Sequence, residues 1–308
     1  MKITMAIATL ALGINTLYAQ NKTIRLIYPQ WQGGDITRLV KEVPTPEDAS
    51  RGYYLGAQLL NFLAPDNGQK TVVVPITTDI TERKVVDGVL DRDIIVKQTK
   101  AALDILNIEK PNKIVTLGGE CSVSVVPFTY LYHKYDGDVA MIWIDAHPDI
   151  TLPGDVYAGY HAMAVTACMG YGEKQLMSIL PSQIKADKIL LVGIRNWERD
   201  EIKVRQKQYG IKNISSEELT ENSDAIRTWL KSCGASKVVI HFDMDVLDPT
   251  EIIAAVGTDA NGMKMEQVIR IINDIASEKE IVGLTIAEAM PRVAIRIKKM
   301  LEQLPLLK

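Results

Sequence analysis

Five short apolar runs, at residues 113–117, 139–144, 188–194, 238–242 and 281–286, constrain this chain more than any other feature. Each is rich in Val, Ile and Leu and is apolar at most positions rather than at alternate ones. A strand of this kind is covered on both faces, which requires helices on both sides of a mostly parallel sheet. Residues 225–231 and 265–275 space their apolar side chains at helical intervals and supply such helices, as does a longer segment from 85 to 106. Two further strands are expected nearer the start, at 23–28, ended by Pro29, and at 71–75. Between them a helix is expected to begin over 44–48 and to carry Tyr53 to Phe62 into the core, with 61–69 breaking it. The pattern predicts a three-layer αβα domain around a parallel, doubly wound sheet.

A chain of 308 residues suits one such domain, and no linker-like segment divides it. The formal net charge of −3 gives no reason to expect nucleic acid or an acidic membrane surface as a partner. Residues 1–20 stand apart: Lys2 precedes an apolar run from Ile3 to Ile14, and Leu17-Tyr18-Ala19-Gln20 offers a small-residue cleavage point. That is the form of a secretory signal peptide, and the run is too short for a membrane span. The expectation is therefore a domain over 21–308, exported or periplasmic if the leader is cleaved and cytoplasmic otherwise. Three cysteines, Cys121, Cys168 and Cys233, do not make a disulfide framework.

Two of the apolar runs deliver paired carboxylates at their ends. The run at 139–144 leads into Asp145-Ala146-His147-Pro148-Asp149, and that at 238–242 into Asp243-Met244-Asp245, with Asp248-Pro249 beyond. Alternation puts Asp145, His147 and Asp149 on one side where the chain leaves the sheet. Buried carboxylates side by side are costly without a cation or hydrogen bonds, and ligands of open α/β sheets gather at these strand ends. An oxygen-rich set with one imidazole suits Mn²⁺ or a similar ion, and has enough carboxylates to bridge two.

These two motifs, preceded by Gly118-Gly119-Glu120-Cys121-Ser122 and followed by Ala287-Glu288-Ala289-Met290-Pro291, resemble the ureohydrolase family of arginases, agmatinases and formiminoglutamases. The resemblance spans residues 24 to 300. It implies two Mn²⁺ ions bridged by Asp145 and Asp243, one completed by His147 and Asp245, the other by Asp149 and the residue at Cys121. A hydroxide held between the ions would attack the guanidinium carbon. His161, in Gly159-Tyr160-His161-Ala162-Met163, stands where the family has a loop histidine that passes a proton to the leaving amine. Glu288 stands where a carboxylate pairs with the guanidinium, Glu198 where an acid binds the substrate amino group, and Thr258 at the substrate pocket. The implied activity is cleavage of a guanidino compound (arginine, agmatine or a guanidino acid) to urea and an amine, with homo-oligomerisation usual. Formiminoglutamate hydrolysis at the same site and a non-catalytic, ligand-binding relative are the alternatives.

Several residues depart from the family pattern. Cys121 replaces a histidine ligand; a thiolate there favours Zn²⁺ or Fe²⁺ over Mn²⁺, and a non-ligating thiol would leave one of the two sites weak or empty. Glu120 replaces Asp and is expected to orient its neighbours or reach a metal itself. His241 stands where Ser is common and reads as a packing residue or a donor behind the ligands. His133 reads as structural or exposed. The loop at 151–158 lacks the Asn and Ser that grip an α-carboxylate in arginases, so arginine is not fixed as the substrate.

Overall fold

The computed structural model describes residues 22–36, 50–79, 82–301 and 303–306. The leader at 1–20 and the expected helix start at 44–48 lie outside the described residues. In chain order the strands are β1 (Thr23–Tyr28), β2 (Lys70–Val73), β3 (Val85–Val86), β4 (Val89–Leu90) and β5 (Lys113–Gly118). They continue with β6 (Val139–Ile144), β7 (Ile189–Val192), β8 (Lys212–Ile214), β9 (Lys237–Asp243) and β10 (Glu280–Ala287). Among the described residues eight of them form one sheet in the order β2-β1-β5-β10-β9-β6-β7-β8, every neighbouring pair parallel.

Strand β6 shows why the sheet is covered on both faces. All six of its residues are buried. Met141 and Trp143 join the core built with helices Arg92–Glu109 and Val125–Lys134. Ala140, Ile142 and Ile144 join the opposite core, built with helices Asp224–Ser232 and Met265–Glu278. Period-two alternation thus feeds two apolar layers from one strand, and each fully buried Ile or Leu contributes about 1.5–3 kcal/mol over an exposed one.

Parallel pairing also brings motifs distant in sequence side by side. In register, Ile286 faces Leu117, Ala287 faces Asp243, and Ile144 faces Phe242. The residues that follow β5, β10, β9 and β6 therefore emerge next to one another at one edge of the sheet. No helix of the described residues is long and apolar enough to cross a membrane.

Four local expectations need correction. The expected helix over 85–106 is a hairpin followed by a helix. Val86 pairs with Val89 across Asp87 and Gly88, whose φ angles are 49° and 80°, and the helix runs Arg92–Glu109. Asp-Gly is the two-residue turn in which both centres take positive φ, and it overrides the helical spacing around it. Phe62 is 85% exposed, because the inward face of helix Gly52–Leu63 is Tyr53, Gly56 and Ala57. That helix extends to Leu63, past the expected break at Asn61. The strand expected over 71–75 ends at Val73, and β8 was not foreseen, being three residues long and partly polar.

Candidate active site

Four strand ends build the site. Asp145, fully buried after β6, accepts from Trp143 Nε1 at 2.8 Å and from His147 N at 2.6 Å. Asp243 closes β9 and accepts from Asp245 N at 2.6 Å, capping the short turn that presents Asp245. Asp245 accepts from Ala146 N at 3.1 Å and lies 2.9 Å from His147 Nδ1, so the ends of β6 and β9 are stitched together. His147 Nε2 is 3.4 Å from Asp259 Oδ2.

The ends of β5 and β10 form the other side. Cys121 N donates to Glu288 Oε1 at 3.1 Å; its thiol reaches Asp243 Oδ2 at 2.9 Å and Glu288 Oε1 at 3.4 Å. His161 Nδ1 lies 3.2 Å from the same Glu288 oxygen, and His161 Nε2 lies 2.7 Å from the Tyr157 hydroxyl. Glu288, Asp149 and Glu198 hold φ angles of 64°, 48° and 59°. Left-handed backbone at non-glycine residues costs about 1–3 kcal/mol each and gathers where a side chain must be aimed.

Cys121, His147, Asp149, His161, Glu198, Asp243, Asp245, Thr258 and Glu288 all line one cleft of about 560 Å³, with Asp145 beneath its floor. That volume is in the range of small-molecule sites. Tyr53, Tyr157, Asn196 and Asp259 line it too, although no motif pointed to them. They reach the cleft from a helix and from loops whose course only the folded chain determines. Asn196 Nδ2 donates to Asp259 Oδ1 at 2.9 Å, which orients that carboxylate toward His147.

Glu120 takes the first of its two expected roles. Its carboxylate accepts from Gln30 Nε2 at 2.7 Å and from Ser122 N and Oγ at 2.8 and 2.9 Å, so it braces the turn behind Cys121 rather than reaching into the cluster. His133 is exposed.

A family model described as "Arginase family" matches residues 67–301, well over half of the chain. The chain belongs to the arginase family. It is 24% identical over 246 residues to the arginase of Entamoeba histolytica, covering 76% of this chain and 81% of that one. With the arginase of Staphylococcus aureus it shares 29% over 153 residues, 47% of this chain and about half of that relative's length (49%). Among solved structures, the E. histolytica arginase in complex with L-ornithine superposes with a TM-score of 0.73 at 19% identity, over 89% of this chain and 92% of that one. The formimidoylglutamase of Bacillus subtilis gives 0.64 at 15% identity, over 92% and 88%. Both likenesses bear out the three-layer αβα arrangement.

An arginase-family chain implies divalent cations, and the electrostatics of the cluster fit them. Burial, and then the charge of Asp245, push Asp145 up to about 7. Asp243 is pushed well up by burial and the charges of Asp245, Asp145 and Glu288; Asp149 by burial and Asp145. Such carboxyls lack only positive charge. Asp149 Oδ2 and His241 Nε2 are, moreover, buried with no hydrogen-bond partner. An unpaired buried polar atom costs about 1–3 kcal/mol, which a cation would recover. Ligand atoms of Asp145, His147 and Asp245 lie within 4.8 Å of one another, and so do those of Cys121, Asp145, His241 and Asp243. Burial drives the Cys121 thiol well up, as do the charges of Asp243, Asp149 and Glu288, so ligation as thiolate requires the ion itself. Burial likewise holds the His241 imidazole down at about 3, neutral as a ligand must be.

Proposed function

We propose that this arginase-family hydrolase cleaves a guanidino compound to urea and an amine in a metal-dependent reaction. The observation that carries the reading is that one cleft holds both the buried carboxylate cluster and, against Cys121, the His161–Glu288 pair. Asp145, Asp243, His147, Asp245, Asp149 and Cys121 are the residues that would hold two cations. A bound cation pair lowers the pKa of water and so supplies a nucleophile at neutral pH.

The remaining work falls to this chain's own side chains. A guanidinium carbon is a poor electrophile because its charge is delocalised over three nitrogens. Glu288, aimed into the cleft by its left-handed backbone, pairs with two of those N–H groups and fixes the carbon over the carboxylate cluster. Water adds to that carbon, the C–N bond to the chain-bearing nitrogen breaks, and the departing amine needs a proton. His161 gives it. Burial pulls its imidazole down, but the hydrogen bond and charge of Glu288, with the charges of Glu120 and Glu198, outweigh burial and raise it above its ordinary value, which favours the protonated form a general acid needs. Tyr157, at 2.7 Å from Nε2, holds the ring in place.

Glu198 and Thr258 line the cleft and would meet the far end of the substrate. Glu198 favours a substrate with an amino group at that end, and arginine, agmatine and guanidino acids are all candidates. The test is urea release by the chain loaded with Mn²⁺, Zn²⁺, Fe²⁺ or Co²⁺ across these compounds, with formiminoglutamate as a further substrate. Urea from one of them is the expected result. Formamide from formiminoglutamate alone would replace the reading with its closest rival, and no product from any would leave a ligand-binding relative.

A further inference from the structure

His241, on β9, faces the Cys121 half of the cluster, and it is not among the residues named above to hold the cations. Its ring is fully buried and stacked on Trp143, centroids 3.6 Å apart and planes 9° from parallel, so its orientation is fixed. Its Nδ1 lies 2.7 Å from Ser124 Oγ. Its Nε2 has no hydrogen-bond partner and lies 3.9 Å from Asp145 Oδ2. A residue there for packing alone would not need a nitrogen that goes unsatisfied. One nitrogen secured by a fixed hydroxyl and the other bare is how a metal-bound imidazole is held. The ligand atoms of Cys121, Asp145, His241 and Asp243 all lie within 4.8 Å of one another. That is about the width of a coordination shell with bonds of roughly 2.0–2.3 Å.

We propose that His241 supplies the imidazole that position 121 lacks, completing a cation site whose donors include Cys121 Sγ, His241 Nε2 and the carboxylates of Asp145 and Asp243. The proposal rests on the metal-dependent reading above and deepens it. A nitrogen has been lost after β5, where a thiol replaces it, and one gained on β9. A thiolate and an imidazole beside the carboxylates select Zn²⁺ or Fe²⁺ over Mn²⁺. The neighbouring site, with Asp145, His147 and Asp245, stays oxygen-rich, so the two ions sit in chemically different shells.

Cobalt loading of the full chain tests this without reference to turnover. After chelation, the protein is titrated with Co²⁺ and followed by optical absorption, metal content and NMR of hyperfine-shifted imidazole N–H protons. The expected result is a thiolate-to-cobalt charge-transfer band, absent in Cys121→Ser, and shifted N–H signals from two imidazoles. His241→Ser should lose one of those signals and bind the Cys121-side cobalt at least about 100-fold more weakly, and Ser124→Ala about 10-fold more weakly. Mn²⁺ should fail to displace Zn²⁺ from that site. Unchanged cobalt affinity and visible spectrum in His241→Ser would overturn the proposal while leaving the metal-dependent reading intact. So would a wild-type spectrum with a shifted signal from one imidazole only, a readout that does not depend on a variant folding. Failure of the wild type to bind any Co²⁺, Mn²⁺ or Zn²⁺ would overturn both.

Discussion

The two halves of the carboxylate cluster are built on opposite principles. Around His147 the groups satisfy one another: Asp245 takes one hydrogen bond from Ala146 N, its other oxygen faces His147, and Asp259 closes on the far side of the ring. The charge of His147 and its hydrogen bond outweigh burial and hold Asp245 well below its ordinary range. Around Cys121 the groups are crowded and short of partners: Asp149 and His241 each carry a bare buried atom, and burial drives Asp243, Asp149 and the thiol upward. One half is folded architecture that also offers ligands. The other crowds buried acids and bare polar atoms that a cation would satisfy.

The halves should therefore fail differently. The largest effect is expected at His161, beside Glu288 in the cleft: His161→Ala should lower kcat about 10²–10⁴-fold while leaving cation content unchanged, a split visible by pairing turnover with metal analysis. Next comes Asp245→Asn, which removes the nearest of the three carboxylates facing His147; chemical denaturation of the cation-free protein should show a loss of about 1.5–3 kcal/mol. On the other side, Asp149→Asn imitates the protonated acid and should stay within about 1 kcal/mol of wild type in the cation-free state, yet lose the stabilisation that cations confer. For the wild type that stabilisation is about 2.7 kcal/mol at a hundredfold excess over Kd, measurable as a rise in Tm on loading. If Asp149→Asn and Asp245→Asn destabilise the cation-free protein equally, the contrast between the halves is wrong.

The smallest expected effect lies outside the cluster, in the loop that carries Tyr157. Asp155 accepts from Arg205 through both oxygens, at 2.6 and 3.0 Å, and from Leu152 N at 2.8 Å. The Arg205 hydrogen bond, against some burial, keeps this carboxyl below its usual range. A depressed native value means that the unfolded chain takes up the proton first. The stability from this pair is present above the unfolded value of 3.8 and is lost as pH falls through the lower native one. Asp155→Asn should cost about 1 kcal/mol at neutral pH, and the Tm difference from wild type should close as the solution is acidified below that range.

Much of this could be read in the chain before folding it. Strands β6 and β9 are apolar enough to declare themselves, and the carboxylates that follow them need no structure to look expensive. Less legible were features that depend on the rest of the fold. The Asp87-Gly88 hairpin lies in a run whose apolar spacing also suits a helix, and two residues decide it. Phe62 has the right chemistry for a core, but the helix turns Gly56 inward instead, because a side chain there would collide with the carbonyl of Ala289. His241 is a single letter in an apolar strand; only Trp143 beneath it, Ser124 behind it and the bare Nε2 in front separate a ligand from a filler.

The position of β10 has a consequence for how the protein comes into being. Among the described residues it follows every other strand, yet it lies between β5 and β9 in the middle of the sheet. A nascent chain emerging from the ribosome could pair β9 with β6, and β5 with β1, but these are two separate ribbons until β10 is made. Cys121 and Asp243 belong to different ribbons. Non-local parallel pairings of this kind form slowly. The cleft is thus closed only once β10 joins the two ribbons, and uptake of a metal that needs both would report that this strand is in place.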